Sequence, residues 1–204
     1  MIAILGYGLG NIKAFANIYR ELNIPFVVAE DAETLRAADR IILPGVGSFD
    51  HAMRRLKESS LFGALEDAVL GQGKPVLGVC VGMQMLGRSS EEGIEPGLGW
   101  IDGQVVKIDF PANMPRGLLP HMGWSSIMAK PGISLLEGLD EALGFYFLHS
   151  YRFVCDDPAD VVATADYGRA FDCAVSRGHI HGVQFHPEKS HHNGIRLLKN
   201  FAEA

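Results

Sequence analysis

The sequence predicts an α/β fold: a mostly parallel central sheet with helices on both faces, plus an added antiparallel strand region. Three observations carry that expectation. Through the first half of the chain, short apolar runs alternate with stretches of helical spacing. Glycine-rich turns close several of those runs. In the second half the pattern changes to strand-like segments separated by Gly, Pro and Asp.

Residues 2–5 read as a short apolar strand that ends at Gly6-Tyr7-Gly8-Leu9-Gly10. A helix follows over 11–22, with Ile12, Phe15, Tyr19 and Leu22 at helical spacing; Asn23 and Pro25 stop it. Residues 26–29 and 41–43 form the next two strands, the latter closed by Pro44-Gly45-Val46-Gly47. Residues 49–70 are mainly helical, with a break near Ser59-Ser60. The run 75–79 is short and apolar, as a strand buried on both faces of a parallel sheet must be. A short helix opens at about Gly82. Beyond it, 99–109, 121–128, 145–155, 160–165 and 171–185 read as strands, and 194–204 returns to helix through Ile195, Leu198 and Phe201. No repeat, low-complexity tract or linker interrupts the chain, so one domain is expected over 1–204. In such sheets ligands bind at the carboxyl ends of the strands, so the turns after the first, third and fourth strands matter most.

Composition narrows the function. With 48% hydrophobic and 21% charged residues, the 204-residue chain is of the globular class and long enough to fold without staples. A net charge of -6 with no Lys/Arg run excludes a nucleic-acid footprint. The three cysteines, Cys80, Cys155 and Cys173, show no zinc or redox spacing, so no disulfide framework or metal is expected. The first residues read as a strand rather than a secretory leader, and no apolar run approaches the ~18 residues of a membrane span. A reducing cytoplasm is the expected compartment.

Gly78-Val79-Cys80-Val81-Gly82 lies between a buried strand and a helix. This is the cysteine form of a nucleophile elbow: the flanking glycines leave room for a sharp turn that exposes the Cys80 side chain. The backbone N–H of Val81 then faces the position of an oxyanion, and the helix start beside the sulfur favours negative charge there. A nucleophilic cysteine needs a base. His186, in Gln184-Phe185-His186-Pro187-Glu188, closes an apolar strand; residues two apart on a strand share a face, which lets Glu188 orient it. Val46 and Gly47, in the turn after the third strand, offer further N–H groups to a bound carbonyl. Other patterns carry less. His179, His181, His191 and His192 lack a Cys or carboxylate to complete a metal set, and His51 reads as a solvated helix residue. Gly6-x-Gly8-x-x-Asn11 lacks the third glycine of a dinucleotide site, so no cofactor is expected.

The elbow with Gln84, together with His186-Pro187-Glu188, resembles the triad (class I) glutamine amidotransferases. Within that family the resemblance is strongest to the glutaminase subunits of imidazole glycerol phosphate synthases. It rests on Tyr7-Gly8-Leu9-Gly10-Asn11, Leu43-Pro44-Gly45-Val46-Gly47, Ser90-Glu91-Glu92-Gly93, Pro120-His121-Met122-Gly123-Trp124, Tyr146-Phe147-Leu148-His149-Ser150-Tyr151 and the stretch from Gly182 to Ser190. Two positions depart from the family's habit: Ser125 stands where Asn is usual, and Val81 where Leu is usual. The resemblance implies a flavodoxin-like sheet, a Cys80–His186–Glu188 triad, and a glutamine pocket along Gln84, Glu92, Ser150 and Tyr151. It also implies a surface at Tyr146, His121, Met122 and Trp124 that meets a (β/α)₈ synthase (cyclase) subunit in a heterodimer. Ammonia would pass to that partner, which makes imidazole glycerol phosphate and an aminoimidazole ribonucleotide in histidine biosynthesis.

Three other readings compete. Leu98-Gly99-Trp100-Ile101 and Ser190-His191-His192 resemble a related branch that supplies ammonia for amidine formation on a surface sugar. A stand-alone cysteine hydrolase or peptidase would share the elbow but need no partner. A non-catalytic binding subunit would keep only the fold, which the intact Cys80, His186 and Glu188 argue against.

Overall fold

The computed structural model describes residues 1–110, 119–140 and 142–204. Its first half alternates strand and helix: β1 (Ile2–Leu5), α1 (Ile12–Glu21), β2 (Phe26–Ala29), α2 (Ala32–Arg36), β3 (Arg40–Gly45), α3 (Phe49–Glu58), α4 (Phe62–Glu66), β4 (Val76–Cys80) and α5 (Val81–Met85). The second half is β5 (Gly103–Lys107), β6 (His121–Ser125), β7 (Ile127–Ala129), β8 (Phe145–His149), β9 (Tyr151–Cys155), β10 (Val161–Asp166), β11 (Ala170–Arg177), β12 (Ile180–Val183) and α6 (His191–Glu203).

The strands β2-β1-β3-β4-β12 run parallel, in that order. From β12 the sheet continues antiparallel through β11, β10 and β7. A branch adds β9 on β11 and β5 on β9. β6 and β8 form a separate two-stranded antiparallel ribbon. Every residue of β1 and of β4 is buried; alternate strand residues point to opposite faces, so the parallel sheet is covered on both sides. The cover comes from amphipathic helices. α1 buries Phe15, Ala16 and Tyr19, α3 buries Phe49, Ala52, Met53 and Leu56, and α6 buries Leu197, Leu198 and Phe201. Among the described residues, no helix is long and apolar enough to cross a membrane.

The sequence expectation of a parallel sheet with helices and an antiparallel extension matches this architecture, and several boundaries differ for physical reasons. α2 lies outside that expectation; Asp31 starts it by accepting the Thr34 N–H at 2.8 Å. β3 runs through Pro44 and Gly45 instead of stopping before them, because both stay in register beside Val79 and Cys80. The helical run 49–70 does break at Ser59, and α4 continues into a π-helical turn, Asp67–Gly71. Only 103–107 of the stretch 99–109 is strand. The segment 171–185 is a hairpin that turns at Gly178 (φ 59°), and 145–155 is two strands separated at Ser150, where the chain leaves the ribbon for the main sheet. α6 begins at His191 rather than Gly194. That glycine lies inside the helix because a Cβ there would collide with the Pro187 carbonyl, so its absence lets α6 seat directly on the turn that carries His186 and Glu188.

Candidate active site

Cys80 ends β4 with φ 55° and ψ -113°, a conformation an L side chain adopts only when its surroundings impose it. The imposition comes from α5, which starts at the next residue and packs flush against β3. A Cβ on Gly82 would strike the Leu43 carbonyl, and one on Gly78 would sit 2.6 Å from the Gly82 oxygen. Glycine at both positions lets the chain reverse tightly enough to push the sulfur outward. The thiol opens on a cleft of about 290 Å³ at the carboxyl ends of the parallel strands.

His186 reaches the same cleft. It shares that cleft with Cys80, and its Nδ1 lies 2.9 Å from Glu188 Oε1. Both side chains of the ion pair are almost fully enclosed. Burial alone would disfavour a charged ring. Interactions with Cys80 and Glu188 oppose it and prevail, raising His186 from the usual imidazole range to about 10. The expectation that His186 and Glu188 meet on one strand face needs correction. β12 ends at Val183, and Glu188 lies in a short 3₁₀ turn, Pro187–Lys189, which swings its carboxylate back under the imidazole. Ser190 braces this turn: its Oγ donates to the His186 carbonyl at 2.6 Å and accepts the Tyr146 N–H at 3.0 Å.

Val81 is the first residue of α5, where helix geometry leaves the N–H without an intrahelical acceptor. Gly45 pairs in register with Cys80, so Val46 and Gly47 follow beside the elbow, and both line the cleft. Gln84, Glu92, Ser150 and Tyr151 line it as well. Gln84 is buried and donates from Nε2 to the Tyr151 carbonyl at 3.1 Å. Glu92 accepts the Phe49 N–H at 2.8 Å, tying the cleft wall to the start of α3. The structure thus brings together the catalytic, N–H and pocket residues expected from sequence.

The surface residues divide. Met122 and Trp124 are 65% and 48% exposed, and Trp124 meets Tyr146 edge-on at 6.3 Å. His121 does not join them. It points inward, buried, stacked 4.0 Å from Tyr167 and 4.8 Å from Phe147. Strand alternation is the reason: on β6 the even positions face out and the odd ones face in.

Sequence reasoning missed three polar neighbours of the cleft, His149, Gln184 and Lys189. His149 and Lys189 line the cleft, and Gln184 lies behind Cys80 with Nε2 3.9 Å from Sγ. The available signal for Gln184 is a polar residue inside the apolar run 182–185, fully buried in the structure. The remaining cysteines have no such setting. Burial, then nearby carboxylates, push Cys155 up to about 12, and burial pushes Cys173 up as well. His179 and His181 direct ring nitrogens to the Val69 carbonyl and the Ser176 hydroxyl, each at 2.8 Å.

This constellation has the geometry of acyl transfer from a carboxamide: an elbow cysteine, a carboxylate-held histidine and backbone N–H groups around one cleft. The chain belongs to the class I glutamine amidotransferase family, whose model matches residues 6–204, and is a glutamine amidotransferase. It is 52% identical to the imidazole glycerol phosphate synthase subunit HisH of Bdellovibrio bacteriovorus, with 100% of each chain covered. It is 50% identical to the protein of the same name from Leptospira interrogans, covering 99% of each. Among solved structures it resembles a glutamine amidotransferase with a TM-score of 0.70 at 18% identity. The match covers 100% of this chain and 99% of the other, and that likeness speaks to the fold.

Proposed function

We propose that this chain is the glutamine-hydrolysing subunit of an imidazole glycerol phosphate synthase, a single glutaminase domain that works in the cytoplasm against a (β/α)₈ cyclase partner. The observation that carries the chemistry is Cys80 and His186 opening on one cleft, with Glu188 hydrogen-bonded to the imidazole. The histidine-pathway acceptor is supported by full-length relatives bearing that name.

Each residue has a step. Cys80 sulfur attacks the side-chain carbonyl carbon of glutamine, and the C=O pair moves to oxygen. The N–H groups of Val81 and the Val46–Gly47 turn hold that oxyanion. His186, protonated, gives its proton to the amide nitrogen; the C–N bond breaks, ammonia leaves and a glutamyl thioester remains. His186 then takes a proton from water, the hydroxide attacks the thioester, the C–S bond breaks and glutamate is released. Glu188 keeps the imidazole oriented throughout. Gln84, Glu92, Ser150 and Tyr151 hold the amino-acid end of the substrate. Water would protonate free ammonia to an unreactive cation, so its use calls for a sheltered passage. Met122 and Trp124 present the exposed apolar face, beside the cleft, on which a partner would seal it.

The test is glutamate release from glutamine by the chain alone and with its cyclase subunit plus nucleotide ligand. Strong stimulation is expected. Cys80→Ala lowers glutamine-dependent turnover by about 10⁴-fold or more while the complex still uses added ammonium. Glutamine use that survives this substitution overturns the nucleophile.

A further inference from the structure

Gln184 has no part in those steps, yet it is fully buried between Gln84 and Cys80. Its Oε1 lies 3.0 Å from Gln84 Nε2, and its Nε2 lies 3.9 Å from Cys80 Sγ. The two ends of an amide are nearly the same shape, so their orientation is decided by their partners. Here the Tyr151 carbonyl decides it, because a carbonyl only accepts. Gln84 must turn its NH₂ to that oxygen, at 3.1 Å. The second N–H of the same nitrogen meets Gln184, which must answer with oxygen. The NH₂ of Gln184 is then left for the sulfur.

The same carbonyl orders a second branch. His149 Nδ1 donates to it at 2.8 Å, so His149 Nε2 accepts from His121 Nδ1 at 3.1 Å. His121 Nε2 in turn accepts from the Ser125 hydroxyl at 2.9 Å. Burial lowers His149 to about 3 and His121 to about 4, which keeps both rings neutral and each in one tautomer at neutral pH. The hydrogen bonds of both branches are mutually consistent in only one direction. The Tyr151 carbonyl is therefore held by two donors, and both N–H groups of Gln84 are committed. Its Oε1 remains as the group to offer the cleft, an acceptor suited to an ammonium.

We propose that Gln184 is a positioning residue for glutamine hydrolysis: it locks the Gln84 amide with its oxygen toward the substrate and supplies an N–H to the Cys80 sulfur. This rests on the reading of Cys80 as the nucleophile. Two variants separate the two duties. Gln184→Glu keeps an acceptor for Gln84 but turns an anionic oxygen to the sulfur. Gln184→Met removes both contacts at similar volume.

In the assembled complex, Gln184→Glu should leave KM for glutamine within about threefold of the parent while kcat falls more than tenfold. Alkylation of Cys80 by iodoacetamide, which needs no glutamine pocket, should slow in parallel. Gln184→Met should raise KM more than tenfold, since the Gln84 amide is then held by the Tyr151 carbonyl alone. Equal effects of the two variants on KM and kcat, or alkylation rates unchanged in both, overturn the proposal and leave Gln184 a packing residue. If neither variant folds, the wild-type side-chain NH₂ resonances decide. The Gln184 pair should shift when iodoacetamide blocks Cys80, and its indifference overturns the proposal equally. Failure of the wild type to release glutamate would instead strike the proposed function, and leaves the alkylation comparison readable.

Discussion

In the parallel half of the sheet, every residue of β1 and β4 is buried, whereas in the β6–β8 ribbon burial alternates residue by residue. The parallel strands need helices on both faces, and what they present to solvent is their carboxyl ends. The Cys80 elbow is built there, on backbone held so tightly that a glycine is required at 82. The ribbon has one side packed on the chain and one side open. Its inner side holds His121, Phe147 and His149 in a buried, ring-stacked and hydrogen-bonded cluster. Its outer side carries Met122, Trp124 and Tyr146. One region is thus closed around its chemistry, and the other is finished only on the side that faces the cleft. Leu148 joins them, since it lines the cleft while its strand neighbours face the core.

The sharpest test of the closed region is Glu188→Gln. His186 stands above its ordinary value because Cys80 and Glu188 favour the charged ring despite its burial. In the proposed mechanism the imidazolium protonates the leaving nitrogen, so activity should persist as pH rises and fall only as pH passes through the raised value near 10. Removing the carboxylate charge lowers that value, so the alkaline limb of kcat/KM for glutamine moves to lower pH. Turnover at neutral pH should fall by roughly 100-fold as the ring loses its orientation. A variant whose alkaline limb stays in place shows that Glu188 does not set the ring's charge.

How legible these regions are in the sequence follows from the same contrast. The parallel strands announce themselves as apolar runs closed by glycine turns, and Cys80, His186 and Glu188 stand out because reactive groups interrupt such runs at their ends. A segment read as one strand hides the turn within it: the reversal at Gly178 sits in the polar run Ser176-Arg177-Gly178-His179, and the handover at Ser150 is marked only by the polar pair His149-Ser150. The inward aim of His121 is hidden for another reason. A resemblance assigns the whole segment to a surface, while strand alternation divides it residue by residue. Gln184 reads only as strand, because its role depends on Gln84, a hundred residues away in sequence and 3.0 Å away in space. α2 is too short for an apolar period to show, and only its Asp31 cap signals it.

Gly82→Ala should damage fold and chemistry together. The added methyl meets a backbone carbonyl at Leu43, so α5 must move off β3. Overpacking of this kind costs about 2 kcal/mol, or roughly 4–8 °C in Tm for a chain of this size. Any shift of α5 also moves the Val81 N–H and the sulfur, so glutamate release should fall further than the stability loss requires. A variant with lowered Tm and parental kcat would separate the elbow's geometry from its catalytic role.

Trp124→Ala carries the smallest expected effect on the isolated chain and tests the open region. The indole is about half exposed, stacking on His191 at 5.3 Å and meeting Tyr146 edge-on. Aromatic pairs of this kind contribute about 0.5–1.5 kcal/mol, and partial exposure holds the loss toward the lower end, so thermal unfolding should move by only a few degrees. The cleft itself has no contact with this ring, so basal glutamate release should stay near the parental rate. The cost should appear on assembly, where an aromatic at the centre of an apolar patch is the kind of residue that dominates an interface. Titration with the cyclase partner should show affinity weakened by about tenfold or more, with stimulation recovered at high partner concentration. Unchanged affinity would place the partner elsewhere and leave the outer face of the ribbon without a role in docking.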